Sequence, residues 1–492
     1  MTASPTTKKI IIDSREFLRG MTTSKYTDDG FISADTNVGI NLVAVPGAFY
    51  LQQSTTFVTP AEGTTGSLIA SCSGAGLSGG QDNYYISNAN KFYNYKDGVM
   101  TLGANGAGVK QYTSPNTDII FYKESLYATS TVDITQLTLG AAYAITNFGT
   151  ETWWTVTKGK LALNSLYPHP MLVYEDILWI ANAVSLHKWD NTTATENALV
   201  LVDNSTITAL GIDPGSGKMM IASTQGPNSS GNIPRINKIS FWDGVSNKVL
   251  RAIIVDDMVT SIYSVGGTVY INYGQKLGYW NGSGITFLRK LKNVLYDSTY
   301  LTYKHRITNI DNTLYVIDGK SILAYESLQG GGPKVFYYAW GKPSIDAPLE
   351  IISHSQKDQL VIGYKFVSYL AVASISARTV TVGATIDTYF ENIRTRWFKF
   401  PNKIRIKSIK VSFIDSIPNN TVPIAISAWK DQTSFINFWV SSVSGMSSYE
   451  LEYIPVAGTL LDMEDFYISI GSGTPYYSAG IRKIVIYYDD VD

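Results

Sequence analysis

The sequence is poor in the residues that carry most metal and redox chemistry. Among 492 residues there is one cysteine, Cys72. A single cysteine excludes an intrachain disulfide framework and fits synthesis in a reducing cytosol. Four histidines are present, His169, His187, His305 and His354. None stands at metal-ligand spacing from another histidine, a cysteine or an acid, so no zinc site or cofactor is expected. Each histidine reads as a surface or turn residue. Charge is sparse too: Lys+Arg is 39, Asp+Glu is 40, and charged residues make up 16% of the chain. The net charge of −1 argues against a generally basic nucleic-acid binder. No apolar run approaches a membrane span, and no signal-peptide core opens the chain. Export through the general secretory route is therefore not expected. Useful helical periodicity is missing across residues 65–380.

The space is filled instead by Ser, Thr, Asn, Gly and Tyr, with 41 glycines and 33 tyrosines. Val259–Gly282 shows how they are used. Three strand-like runs end in turn at Gly266-Gly267, Gly274-Gln275-Lys276 and Asn281-Gly282. Gly-Gly and Asn-Gly supply the positive φ of tight hairpins, and Val, Ile, Thr and Tyr suit a half-buried pleated surface. Copies of the pattern centre on Tyr84, Leu126, Leu178, Met220, Val269, Leu314 and Leu360, spaced by 42, 52, 42, 49, 45 and 46 residues. That spacing predicts β-propeller blades of four strands each. An aromatic followed by Asp or Asn closes the third strand in several copies: Trp189-Asp190, Trp242-Asp243 and Trp280-Asn281. No copy has a full WD40 or kelch signature. We read an all-β chain in three parts: an N-terminal arm and lead-in at 1–60, a propeller at 61–385, and a C-terminal β-sandwich or jelly roll at 386–492. The propeller is assigned about seven blades, with six or eight left open. Either Ile40–Phe57 or Ser376–Val382 completes the last blade.

In the C-terminal part Lys403–Lys407 alternates strictly, then slips phase before Ile409, Val411 and Phe413. A phase slip inside a strand predicts a β-bulge. The basic cluster Arg394, Arg396, Lys399, Lys403, Arg405, Lys407 and Lys410, with alternation at Ile404 and Ile406 putting charges on one strand face, reads as a solvated face or as a contact edge. The same module holds the acids Asp462, Glu464 and Asp465 as a candidate acidic edge. Two such edges predict head-to-tail contacts in a homo-oligomeric ring. Passive contact of the basic face with DNA phosphates is the alternative.

Enzymatic signals are weak. Gly211–Met219 has only a superficial phosphate-loop spacing, because Ile212 and Met219 replace required residues, and it reads as a turn. Asp213, Asp256 and Asp257 are isolated acids. Asp28-Asp29-Gly30 reads as an ordinary turn. No sialidase-type box occurs. Trp242 and Trp280 are candidates for stacking on sugars, or for packing between blades.

The lead-in Glu16–Ser24 with Asn37-Val38 and Pro46-Gly47, the exit Val382–Phe390, and a terminal module running from Lys403–Phe413 to Arg482–Tyr488 together resemble propeller-containing virion proteins of tailed bacteriophages. The similarity is greatest to tail nozzle or tail-tube components of short-tailed phages. It implies a non-enzymatic structural protein, made in the host cytoplasm and built into the virion tail. There it would form a ring at the DNA-exit channel and dock portal, adaptor, fibre or other tail proteins. A receptor- or glycan-binding propeller on the virion is the alternative, and a glycan hydrolase a more distant one.

Overall fold

The computed structural model describes residues 7–13, 42–45, 48–51, 56–58, 68–73, 84–88, 91–96, 99–102, 104–105, 108–109, 116–139, 145–147, 152–225, 236–291, 306–319, 321–327, 334–341, 349–354, 359–364, 370–374, 393–417, 424–431, 433–440, 448–459, 461–472 and 480–491. The lead-in Glu16–Ser24, Asp28-Asp29-Gly30, Asn37-Val38, Pro46-Gly47, His305 and the exit Val382–Phe390 lie outside these residues. The chain divides into two compact units. One spans Thr56–Gly319 and Ala347–Ser374. The other takes in Met1–Thr55, Lys320–Asp346 and Ile375–Asp492.

The first unit is a β-propeller-type array of four-stranded antiparallel sheets. Sheet 1 comprises Leu68–Ser73, Tyr84–Asn88, Lys91–Lys96 and Val99–Leu102. Sheet 2 comprises Asn116–Tyr122, Ser125–Ser130, Ile134–Leu139 and Ile145–Asn147. Sheet 3 comprises Met171–Tyr174, Ile177–Asn182, Ser185–Trp189 and Ala194–Val200. Sheet 4 comprises Thr206–Asp213, Lys218–Gln225, Ile236–Trp242 and Arg251–Val255. Sheet 5 comprises Val259–Val265, Thr268–Tyr273, Lys276–Trp280 and Ile285–Lys290. Ile307–Ile310 and Thr313–Asp318 form a further hairpin. Sheet 6 comprises Leu349–His354, Gln359–Tyr364 and Leu370–Ser374, and its fourth strand is Thr56–Val58. The N-terminal side of the chain, then, supplies the last strand, and Ser376–Val382 is not needed for it.

All seven repeat centres fall in second strands, where Leu126, Leu178, Met220, Val269, Leu314 and Leu360 are fully buried. Gly266 and Gly267 have φ of 54° and 81°, the left-handed conformation that a two-residue hairpin turn demands. In five of the six sheets the first strand shifts register near its start. Buried Thr117, Thr208 and Thr260 fill three of these bulges. Thr208 donates its hydroxyl to Val259 O across to the next sheet, 2.6 Å away. A Cβ on Gly211 would lie 2.3 Å from Ile262 Cγ2, so the first strands of sheets 4 and 5 approach at a point that only glycine permits.

The other unit holds a ten-stranded sheet and the hairpin Ser321–Ser327/Lys334–Gly341. Within the sheet, Phe398–Ile417 pairs with Ser448–Pro455, then come Phe435–Val440, Ile424–Trp429 and Asp462–Ser472, and the last of these pairs back to Phe398–Ile417. Five strands thus close on themselves around Ile404, Ile406, Val411, Ile426, Phe438, Phe466 and Ile468, all buried. This corrects the expected sandwich or jelly roll, which needs two separate sheets. An odd ring of antiparallel neighbours closes only if one strand bends. The 20-residue strand Phe398–Ile417 does so, through register shifts at Lys399/Ile404, Ile406/Ser408 and Ser412/Phe413. The second shift is the bulge that the phase slip predicts. Ile481–Asp490 lies between this strand and Lys8–Ile12, which makes it central.

Candidate interaction surfaces

In the propeller unit several described aromatic side chains close the seams between sheets. Trp242 packs edge-on against Trp179 of the preceding sheet, centroids 4.9 Å apart at 83°. Trp189 donates its indole N–H to the Tyr127 hydroxyl across the previous seam at 3.0 Å. Trp280 lies 5.0 Å from Phe241. Such pairs each add roughly 0.5–1.5 kcal/mol beyond their burial. Trp242 and Trp280 are buried, so neither offers a face to a sugar. Hydroxyls are engaged the same way: Tyr122 donates to Asp176 O and Tyr174 to Gly217 O, each at 2.8 Å.

The aromatic-Asx dipeptides are turn locks. Asp190 Oδ1 accepts from the Thr192 and Thr193 amides at 2.9 and 2.7 Å. Asp243 Oδ1 accepts from Val245 and Ser246 at 3.0 and 2.8 Å. Asn281 Oδ1 accepts from Ser283 and Gly284 at 3.0 and 2.9 Å. Hydroxyl and amide donors, led by Thr192 and Ser246, hold the Asp190 and Asp243 carboxyls down at about 2. Asp213 caps its own turn, accepting from Gly215 N and Ser216 Oγ at 3.1 and 2.7 Å, as the turn reading of Gly211–Met219 expects. Asp256 pairs with Lys276, and Asp257 accepts from Met258 N at 2.9 Å.

Two histidines depart from expectation. His169 and His187 are buried rather than at the surface. His169 Nδ1 lies 3.0 Å from Ala181 O. His187 Nδ1 accepts from Asn197 N at 3.0 Å, and its ring stacks on Trp154 at 5.7 Å. Burial pushes both imidazoles down to about 4. Isolated histidines carry no periodicity, so the sequence has no signal for this. Among the described residues no three of His, Cys, Asp or Glu are placed to hold a metal ion. No described helix is long and apolar enough to cross a membrane.

On the closed sheet one ion pair joins the predicted basic and acidic residues. Arg405 grips Asp462 with Nε and Nη2 at 2.8 and 3.2 Å. Lys407 Nζ is 3.0 Å from Asp489 Oδ2. Lys399 and Asp465 are register partners. Arg394 lies 5.4 Å over the Tyr467 ring, and Arg396 lies 5.3 Å over Phe398. Lys403 and Glu464 are exposed. The physical reason is the closure: it makes Phe398–Ile417 and Asp462–Ser472 neighbours, so their outward charges face one another. Beside them runs a row of rings that sequence reasoning missed. Phe435 stacks on Trp429 at 4.2 Å, Trp429 on Tyr467 at 6.3 Å, and Tyr467 meets Trp397 at 4.9 Å. The first pair was readable as a hairpin across Lys430–Ser434; Tyr467 was not, because it comes from a distant strand.

Several exposed apolar side chains gather at one end of the propeller sheets, while others, such as Val245 and Ile254, lie elsewhere on them. Antiparallel order places the turn between second and third strands, and the connector to the next sheet, at the same end. Val132 lies in such a turn, and Val156, Leu161, Leu166 and Val202 lie in such connectors. Leu166 and Val202 are 79% and 90% exposed. Leu163 N donates to Val132 O, and Asn164 N to Asn182 Oδ1, both at 2.8 Å, so connector and turns form one continuous surface.

No family model matches this chain, and no curated protein matches it. Similar solved structures include the WD40 beta propeller domain of Doa1, with 12% identity, 67% of this chain and 98% of that chain covered, and a TM-score of 0.41. The Pan2 WD40 domain of Neurospora crassa is similar at 7% identity, covering 63% and 90%, with a TM-score of 0.41. YCF48 bound to D1 peptide is similar at 11% identity, covering 68% and 97%, with a TM-score of 0.40. These likenesses concern the fold and carry nothing on partners or activity.

Proposed function

We propose that this protein is a non-enzymatic structural component of a phage tail. In this reading it is a nozzle or tail-tube ring that lines or extends the DNA-exit channel and docks portal, adaptor, fibre or other tail proteins. The observation that carries the reading is where side chains with chemistry are used. Tryptophans, tyrosines, threonines and acids of the propeller are committed to seams and turns, while the free surface offers exposed aliphatic residues such as Leu166 and Val202. That is a scaffold with contact surface. The resemblance in the lead-in and exit supports the virion assignment. As part of the same proposal, the hairpin Ile307–Ile310/Thr313–Asp318 is read as belonging to a seventh blade beside the six four-stranded sheets. Contact with DNA is passive, through cations such as exposed Lys403. Native mass spectrometry of the chain and electron microscopy of virions test the proposal. A closed ring present in particles is expected; a monodisperse monomer absent from particles overturns it.

A second reading, glycan or receptor binding, is favoured by Trp439. This residue is half exposed and stands opposite Ile454 on the closed sheet. Glycan-array binding lost in Trp439→Ala, with melting unchanged, supports it over the first.

A further inference from the structure

Asn281-Gly282 ends the third strand of sheet 5, at the place where sheets 3 and 4 carry Asp190 and Asp243. The three side chains do the same work, each accepting amides two and three residues on. Asn281 adds one contact that an aspartate lacks: Nδ2 donates to Thr286 Oγ1 at 2.9 Å. Its Oδ1 also accepts from the Ser283 hydroxyl at 2.9 Å, and its own backbone N–H donates to Gly284 O at 3.0 Å. The pair is exposed.

Asn followed by Gly is the dipeptide in which the next backbone nitrogen reaches the side-chain amide most freely, because glycine has no Cβ in the way. In that reaction the deprotonated Gly282 nitrogen attacks Asn281 Cγ. The N–Cγ bond forms, the Cγ–Nδ2 bond breaks, and ammonia leaves. Water then opens the cyclic imide to aspartate or isoaspartate. The balance is amide plus water giving carboxylate plus ammonium, with no oxidant or reductant.

We propose that Asn281 is a hydrolytic modification site gated by the fold of this turn. Folded, the amide is pinned from both its oxygen and its nitrogen, so Cγ cannot swing back onto the Gly282 nitrogen. Opened, the dipeptide is unhindered. The aspartate product fits the refolded turn, since Asp190 and Asp243 already hold that position. The isoaspartate product lengthens the backbone by one carbon and does not fit.

The test uses the full chain at mildly alkaline pH, with and without denaturing urea, and reads the tryptic peptide containing Asn281 by mass spectrometry. Conversion should be at least about tenfold slower in the folded chain, because it waits on local opening. Thr286→Val removes the Nδ2 partner while keeping the β-branched shape, and should speed conversion in the folded chain only. Asn281→Asp should melt with the parent. Equal rates with and without urea, no conversion in urea, or loss of folding in Asn281→Asp each overturn the proposal.

Discussion

The propeller unit and the closed C-terminal sheet solve the same problem in opposite ways. Both are β-structures whose sheet edges must be managed. The propeller does it by repetition. Each sheet is short, and its neighbours are held by recurring side chains: tyrosine to turn carbonyl, threonine in a bulge, tryptophan against the aromatic of the sheet before. The closed sheet does it with one long strand, Phe398–Ile417, which pairs along both edges and bends through three register shifts. Its outer face is held by cross-strand charge pairs such as Arg405–Asp462. Stability in the first unit therefore resides in buried seams, and in the second in a continuous apolar interior with a weakly coupled surface.

Acid separates the two most strongly. His169 and His187 sit at about 4 in the fold against 6.5 in the unfolded chain. As pH falls below 6.5 the unfolded chain takes up protons that the fold refuses. Stability then drops by about 1.4 kcal/mol per pH unit for each histidine, until about pH 4. The closed-sheet unit contains no histidine, since all four fall within Thr56–Gly319 or Ala347–Ser374. Its carboxylates act the other way. Asp431 is held at about 2 against 3.8, so its contribution is present above 3.8 and is lost only as pH falls through about 2. Hydrogen exchange on the full chain, corrected for its intrinsic pH dependence, should show propeller amides opening first on acidification. Simultaneous opening would erase the distinction.

The next largest effect is expected from Trp242→Ala, which empties a seam and should cost about 3–5 kcal/mol. Denaturant melts read it, and a loss below about 1 kcal/mol would mean that seams are not where stability resides. Gly211→Val forces a side chain against Ile262 and should cost about 1–3 kcal/mol, seen as a lower melting temperature. The smallest is Arg405→Ala. Its partly exposed pair with Asp462 should contribute no more than about 1 kcal/mol, and less in high salt. A larger, salt-insensitive loss would mean that the closed sheet depends on its surface charges as the propeller depends on its seams.

Repetition is also what made one unit readable. Val269 at the centre of its strand has counterparts at Leu314 and Leu360, and all three are buried second-strand residues. Trp242-Asp243 announces both a seam and a turn, because the tryptophan and the acid are adjacent in the chain. The bulge near Lys407 was visible because a two-residue period leaves a trace when it slips. Closure of the C-terminal strands left no such trace. Whether Phe398–Ile417 meets one sheet or both ends of one depends on its bend, and alternation is blind to bending. Hence the expected sandwich, and hence no sign in the sequence that Arg405 and Asp462 face each other across neighbouring strands. The row Trp397, Tyr467, Trp429 and Phe435 was hidden for the same reason, since three strands contribute to it.

The three-residue strand Thr56–Val58 binds Leu370–Val372, made roughly three hundred residues later. During synthesis this strand leaves the ribosome before any of the sheets has formed, and waits until nearly all of them exist. Every earlier sheet can fold from neighbouring sequence, but the last cannot. Completion is thus a late, long-range event, and a chain interrupted anywhere before Leu370 would carry an open edge at each end of its array. Such an intermediate is the species that a chaperone, or a second copy of the chain, would meet first.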